Sequence, residues 1–365
     1  MLRARRSPWA GYDYLLLGAA VVTSVFGLAM VASAVGNSPG LDGTVQRQAV
    51  FLVVSVILAI LVSTLDYRLL VGSSAILYGL GLASLLVVLV LGAIQHGAQS
   101  WIMIAGFTFQ PSELMKILLI LALAQYLGPR MVGPWRFHYL IVSGVILGVP
   151  VLLIYAQPDL GTATVLVAIW AGCIFVAGVK FWHLGVLGLA AVAVSPLIWL
   201  NLQPYMQDRV LSLIRPDENP EGNFVVEQAL ISIGSGSIWG KGYAAGTQSQ
   251  LHFLRVRHTD FIFSVIGEEL GFVGAVLTLA MLAFICLRLF RIAQHASDGA
   301  GRILASGVAA FIAFHTLVNV GMNLGVVPVT GLPLPFISVG GSALIAQFLG
   351  IGLAESVAMR RGAPA

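Results

Sequence analysis

Charge is what this sequence has least of. Only 9% of its 365 residues are Asp, Glu, Lys or Arg, against 58% hydrophobic, where an ordinary soluble domain carries about 25% charged residues. That deficit excludes a fold surrounded by water. Cysteine is nearly absent too: Cys173 and Cys286 are the only two, and both fall inside apolar blocks. A disulfide framework is therefore excluded, and no His or Cys cluster has the spacing of metal ligands. Cationic excess is small, with 19 Lys and Arg against 15 Asp and Glu and a net charge of +4. No nucleic-acid partner is expected, and the placement of the charges matters more than their sum. No cleavable leader is expected either. The first apolar block, Tyr12 to Ala34, is too long for one and lacks the small-residue cleavage pattern, so it reads as a retained helix.

The apolar residues come in blocks about as long as a bilayer is thick, ~20 residues. Ten are read, at 12 to 34, 47 to 65, 69 to 94, 111 to 128, 137 to 155, 159 to 179, 181 to 202, 261 to 288, 303 to 327 and 337 to 358. The expected fold is all-α: a polytopic membrane protein of ten transmembrane helices, forming one domain over 1–365, with a long extracellular loop between helices 7 and 8. Arg3, Arg5, Arg6, Arg68, Arg130, Arg136, Lys180, Arg288, Arg291, Arg302, Arg360 and Arg361 all fall on the amino-terminal side. By the positive-inside rule that side is cytoplasmic, so both termini are expected there.

The long loop, 203–260, is too long to be a mere connection and is expected to be functional or disordered. Ile214 to Asn223 (IRPDENPEGN) reads as turns. Phe224 to Ile233 reads as a short amphipathic helix lying on the membrane surface. Gly234, Gly236, Gly240, Gly242 and Gly246 then interrupt regular structure and let the backbone approach another surface closely. At the loop's end Asp260 stands where water gives way to hydrocarbon, a costly place for a carboxylate unless it is paired or used.

Two more acids open helices on the same side, in Gln110-Pro111-Ser112-Glu113 and Gln157-Pro158-Asp159, each with proline in the first turn. A carboxylate there is also favoured simply as a cap, and the same local reading applies to Asp260 beside Thr259. Lys116, three residues after Glu113, shares its helical face and can neutralise it. Topology thus places Glu113, Lys116, Asp159, Lys241 and Asp260 on one side of the membrane. A proton-coupled transporter would instead bury ionisable groups near the midplane on broken helices. Glu268 and Glu269, two turns into the eighth block, come nearest to that, and read more simply as packing against a polar neighbour.

QPSELMK (Gln110 to Lys116), QPDLGTA (Gln157 to Ala163), GKGYAAGTQSQLHFL (Gly240 to Leu254), RHTDFIFSVIGEELG (Arg257 to Gly271) and PVTGLPLPFISVGGSAL (Pro328 to Leu344) occur in this order. Together they resemble the SEDS family of bacterial shape, elongation, division and sporulation proteins over nearly the whole chain. GTQSQ at Gly246 to Gln250 looks like the RodA-type elongation members, whereas division members typically have an Asn-Ser run there. The resemblance implies a peptidoglycan glycosyltransferase that polymerises lipid II on the outer face of the bacterial cytoplasmic membrane. The alternatives are a lipid II flippase and an FtsW-like division polymerase.

On that reading Asp260 is the general base, the role to which the family resemblance also points. Lys116 and Lys241 are candidates to hold the pyrophosphate, and Glu113 to orient Lys116 or ligate a divalent cation. Asp159, His258 and Ser338 complete the candidate substrate site, Ser338 mainly on the family's account. No metal is fixed by the sequence; magnesium or manganese (Mg or Mn) would need carboxylate and substrate ligands. The resemblance also implies the partners, lipid II, membrane lipids and a class B penicillin-binding protein that supplies cross-linking; the chain itself carries no transpeptidase serine motif. The chain also departs from the family's usual pattern. Ser100 and Thr108 stand where arginines are common, and Leu254-Arg255-Val256-Arg257-His258 replaces Leu-Pro-Glu-Arg-His.

Overall fold

A computed structural model of the chain describes residues 11–36, 41–95, 98–104, 107–131, 135–215, 220–250 and 257–361. In chain order the helices are α1 (Tyr14–Val35), α2 (Thr44–Thr64), α3 (Tyr67–Gly72) and α4 (Ser74–Leu91). A small antiparallel sheet follows, of β1 (Ala93–Gln95), β2 (Ala98–Ile104) and β3 (Phe107–Phe109). Then come α5 (Pro111–Leu127), α6 (Phe137–Ala156), α7 (Leu160–Val176), α8 (Phe181–Asn201), α9 (Pro204–Ile214) and α10 (Pro220–Ser235). A single turn α11 (Thr247–Gln250) precedes α12 (Ile262–Gln294), α13 (Gly299–Asn323) and α14 (Gly341–Met359).

Eleven of these helices occupy the ten apolar blocks, α3 and α4 sharing the third. Eight (α1, α2, α4, α6, α12, α13, α14, and α5 taken through Met131) are long and apolar enough to cross a membrane; α7 and α8 supply shorter apolar stretches. Their outer faces carry Leu80, Leu91, Leu152 and Trp182 in the open, a surface that suits lipid and not water. The centre is built differently. In α14, 83% of the most apolar window is buried, against 17% in α2, so α14 is a core helix and α2 a peripheral one. α14 packs along α2, while α13 packs on α12, α7 and α5. Small residues permit these approaches: a Cβ on Gly352 would fall 2.5 Å from the Ala59 carbonyl oxygen of α2.

The bundle has two chemically distinct ends. One carries the β-sheet, the starts of α5, α7, α12 and α14 and the end of α13. The other carries most of the arginines and is tied by ion pairs, Arg288 to Asp13 at 2.6 Å, Arg68 to Asp298 at 3.3 Å and Arg360 to Asp66 at 3.5 Å.

Several local expectations need correcting. The third block is two helices, α3 and α4, because Asp66 caps α3 and Ser73 leaves helical geometry; its last residues form β1 rather than helix. Ile214 to Asn223 is not all turn: Pro220 opens α10, where its missing N–H costs nothing. That helix is longer than the expected Phe224 to Ile233, and it packs inward, Ala229 against Phe261 of the bundle. The ninth block ends at Asn323, and Gly325 turns the chain with φ +66°.

The long loop does not simply lie over the bundle. α12 is broken at Gly271 (φ 66°, ψ −163°), which frees carbonyls before the break and N–H groups after it. Segment 237–242 satisfies both sets. The Glu268 and Glu269 carbonyls accept from Lys241 N and Gly242 N, each at 3.0 Å, while Phe272 N and Val273 N donate to the Ser237 and Ile238 carbonyls at 2.9 and 3.2 Å. Backbone meets backbone so closely that a Cβ on Gly240 would lie 2.1 Å from the Glu269 oxygen. The close approach expected of the loop glycines is realised at Gly236 and Gly240, whereas Gly234 lies inside α10 with open space around it and interrupts no element.

Candidate active site

Asp260 lies just before α12, whose N-cap is Phe261 without a capping side chain. The helix therefore starts one residue too late for Asp260 to cap it. The backbone leading to the aspartate is fastened carbonyl by carbonyl. His258 O accepts from Val339 N at 3.0 Å, Thr259 O from the Ser338 hydroxyl at 2.5 Å, and Asp260 O from the Asn319 and Asn323 amides at 3.0 Å each. Asn323 also caps α12 from outside, its Oδ1 accepting from Ser264 N at 3.1 Å and from the Ser264 hydroxyl at 2.6 Å. Asp260 itself remains half-buried. Its Oδ2 faces Gly331, where an added Cβ would come within 3.6 Å.

The 324–340 connection between α13 and α14 is the hub of this end. Asn319 donates to Leu332 O at 2.8 Å, and His315 Nδ1 lies 3.2 Å from Pro333 O. Ser338 is fixed from both sides, accepting from Leu334 N at 2.8 Å while donating to Thr259. Gln48 of α2 holds the far side, donating to Ser338 O at 3.1 Å and accepting from Gly340 N at 3.3 Å. The start of α7 rests on the same loop, since a Cβ on Gly161 would lie 2.8 Å from Thr330 O.

Beneath the hub sits a buried charge cluster. Lys116 Nζ is 2.5 Å from Glu113 Oε1 and 3.1 Å from His315 Nε2, and stands 5.3 Å over the Phe311 ring. The lysine is fully enclosed and Glu113 is 4% exposed. A charge so placed is stable only with its partner present. Glu113 Oε2 and the neighbouring Ser112 hydroxyl are buried without a hydrogen-bond partner among the described residues.

The remaining candidates divide. Asp159 caps α7, its Oδ1 accepting from Thr162 N at 3.0 Å, and its Oδ2 accepts from Gln110 Nε2 at 3.1 Å. Its capping role is thus realised, and Gln110 links it to α5. Lys241 belongs to a second cluster, 2.8 Å from Glu268 Oε1 and donating to Thr247 Oγ1 at 2.8 Å, with its side chain 26% exposed. Glu269 accepts from the Ser33 hydroxyl at 2.6 Å and from Ala244 N at 3.2 Å. The polar neighbour expected for this acid pair is the inserted loop. Arg257 is buried and its Nε donates to Ala34 O of α1 at 2.7 Å; loss of surrounding water pulls its guanidinium below its ordinary range. Arg3, Arg5, Arg6, Asp217, Glu218, Leu254, Arg255 and Val256 lie outside the described residues.

The donor set does not fit a resident divalent cation. No three His, Cys, Asp or Glu side chains gather among the described residues, and Glu113 already faces an ammonium. Sequence reasoning missed His315, Asn319 and Asn323. All three are fully buried on α13 at a spacing of four, one stripe of polar groups along a helix whose other contacts are apolar. That i, i+4, i+8 pattern inside a hydrophobic block was the available signal.

This arrangement matches known proteins across its length. Residues 13–362 fit the model of the family described as cell cycle protein, FtsW/RodA/SpoVE. The peptidoglycan glycosyltransferase MrdB of Escherichia coli K12 is 36% identical over 333 residues, covering 90% of each chain. A chain from a structure described as structural coordination of polymerization and crosslinking by a peptidoglycan synthase complex superposes with a TM-score of 0.84 at 35% identity, over 97% of this chain and all of that one. The rod shape determining protein RodA of Thermus thermophilus gives a TM-score of 0.74 at 33% identity, over 98% of this chain and 99% of its own. With family model, relative and folds covering the same span, this chain belongs to the FtsW/RodA/SpoVE family of cell cycle proteins.

Proposed function

We propose that the chain is a peptidoglycan glycosyltransferase that polymerises lipid II, with the Asp260 end of the bundle on the outer face of the cytoplasmic membrane and both termini inside. The observation that carries this reading is the fastening of three successive carbonyls, at residues 258, 259 and 260, around a carboxylate that stays half-buried. Such a carboxylate is held in place without being covered, which is what a general base needs. Similarity to the glycosyltransferase MrdB over 90% of the chain supports the same chemistry.

In the proposed step the acceptor sugar's hydroxyl oxygen attacks the anomeric carbon of the donor, and Asp260 takes the hydroxyl proton. The bond from that carbon to the lipid pyrophosphate breaks on the opposite face, and the electron pair leaves with the pyrophosphate. The new glycosidic bond is inverted. A leaving pyrophosphate needs positive charge more than a proton. Lys241, part of whose side chain stays open, is the proposed source of that charge. Lys116 is enclosed and acts instead as a positioning residue, bracing the hub loop through His315. A class B penicillin-binding protein would cross-link the strands, in keeping with the likeness to a chain from a peptidoglycan synthase complex.

Purified protein supplied with lipid II, with and without that partner, tests the reading. Glycan strands are expected. Translocation of lipid II across vesicles without polymer would favour the flippase instead. The GTQSQ segment (Gly246 to Gln250) favours elongation over division; rescue of rod shape, and not of septation, in depleted cells is the expected result.

A further inference from the structure

At the arginine-rich end, away from Asp260, a cleft of about 350 Å³ opens between α4, α5 and α6. Tyr78, Ala122 and Ile146 line it further into the span, and Ala75, Gln125, Tyr126 and Arg130 line it near the helix ends, at its mouth. Ile146 lies nine residues into α6, so the cleft runs roughly 14 Å from the helix end into the span at 1.5 Å per residue. The Tyr78 hydroxyl is already committed to the Ile146 carbonyl at 2.6 Å, which leaves the deep part apolar. At the mouth Gln125 Oε1 accepts from the Ser74 hydroxyl at 2.6 Å, which directs its amide N–H groups elsewhere.

Arg130 decides what the mouth attracts. Its guanidinium stacks 4.0 Å over the Tyr126 ring, lies 5.7 Å from that of Tyr139, and donates to the Tyr126 carbonyl. Unlike Arg68, Arg288 and Arg360 at the same end, it has no carboxylate within ion-pair distance among the described residues. An arginine held rigid on aromatic faces, with free donors and no internal anion, is built for phosphate. From these observations we infer that the cleft binds one anionic glycerophospholipid of the surrounding leaflet, an acyl chain between α4, α5 and α6 and the phosphate on Arg130 and Gln125. The site is separate from the glycosyl-transfer site. It rests on the proposed function only for naming the leaflet as cytoplasmic, and lipid retention is read without any polymerisation.

Native mass spectrometry of the purified protein titrated with phosphatidylglycerol and phosphatidylcholine of identical chains tests it. One tightly retained phosphatidylglycerol is expected, favoured at least tenfold over phosphatidylcholine. Arg130→Gln should abolish the preference and Arg130→Lys keep most of it. Ala122→Phe, which fills the cleft, should lower retention of both lipids. Wild-type protein is also exposed to phosphatidylglycerol carrying a photoreactive group in its chain. Labelling concentrated in 74–78, 122–130 and 146 is expected. Labelling spread evenly around the bundle, or equal retention of the two lipids by the wild type, overturns the inference.

Discussion

The carboxylates at the Asp260 end of the bundle are held in different ways. Glu113 and Glu268 are buried against lysines, and Asp159 is spent on a helix cap and on Gln110. The backbone of Asp260 is fastened as well, since Asn319 and Asn323 converge on its carbonyl. Asn319→Leu removes one of these bonds and strips Leu332 O of its donor. A misplacement of ~1 Å costs about 10²-fold in rate, so the turnover of Asn319→Leu should fall by about 10- to 100-fold with KM little changed, measured on lipid II. A loss confined to KM would make Asn319 a substrate contact. For the enclosed pair, Lys116→Met leaves Glu113 buried without its cation, costing about 3–5 kcal/mol. Thermal unfolding in detergent should show a large drop, most of it recovered in Lys116→Met with Glu113→Gln.

Among the elements, α12 and the loop inserted at its break are the least conventional. The break at Gly271 leaves polar backbone inside the bundle, tolerable only because segment 237–242 returns the missing partners. Gly240→Ala places a methyl 2.1 Å from the Glu269 oxygen at φ +81°, and overpacking of this kind costs about 1–3 kcal/mol or more. Gly234→Ala has nothing within 4 Å and serves as the control, with an unchanged or raised unfolding temperature. Equal behaviour of the two would mean the insertion is dispensable. These elements also mark where sequence reading succeeds. Helix starts at Pro111 and after Asp159 were legible because proline and a capping acid act locally. So was the need for close backbone approach around Gly236 and Gly240. The insertion itself was not, because hydrogen bonds between residues about 30 apart leave no periodicity in either segment. The stripe His315, Asn319, Asn323 was visible as a pattern, but the carbonyl that its two asparagines share, about 60 residues earlier in the chain, was not.

On the scale of the whole molecule, charge is sorted between two ends. The arginine-rich end is tied by ion pairs joining α1 to α12, α3 to the turn before α13, and the turn after α2 to the end of α14. The other end holds the hub loop and Asp260. On the proposed function that second end lies outside the cell. A single cysteine at exposed Ala245 should therefore react with a membrane-impermeant maleimide in intact cells, and one at exposed His295 only after lysis; the reverse pattern would invert the topology. Ten apolar blocks were readable in order because hydrocarbon demands length and composition of each helix separately. How the helices pack left only a trace: the most buried spans, α14, α5 and α13, have mean hydropathies of 1.5, 1.3 and 1.9, below the 2.2 to 2.5 of the spans that face outward, but nothing in a block names its neighbour.

The most direct test is the initial rate of lipid II polymerisation by purified protein paired with a class B penicillin-binding protein, wild type against Asp260→Asn. The two side chains have nearly the same shape, and the backbone bonds that hold residue 260 are untouched. Loss of a general base costs about 10²- to 10⁴-fold. The account predicts a fall in that range at an unchanged unfolding temperature, and an undiminished rate for Asp260→Asn would contradict it.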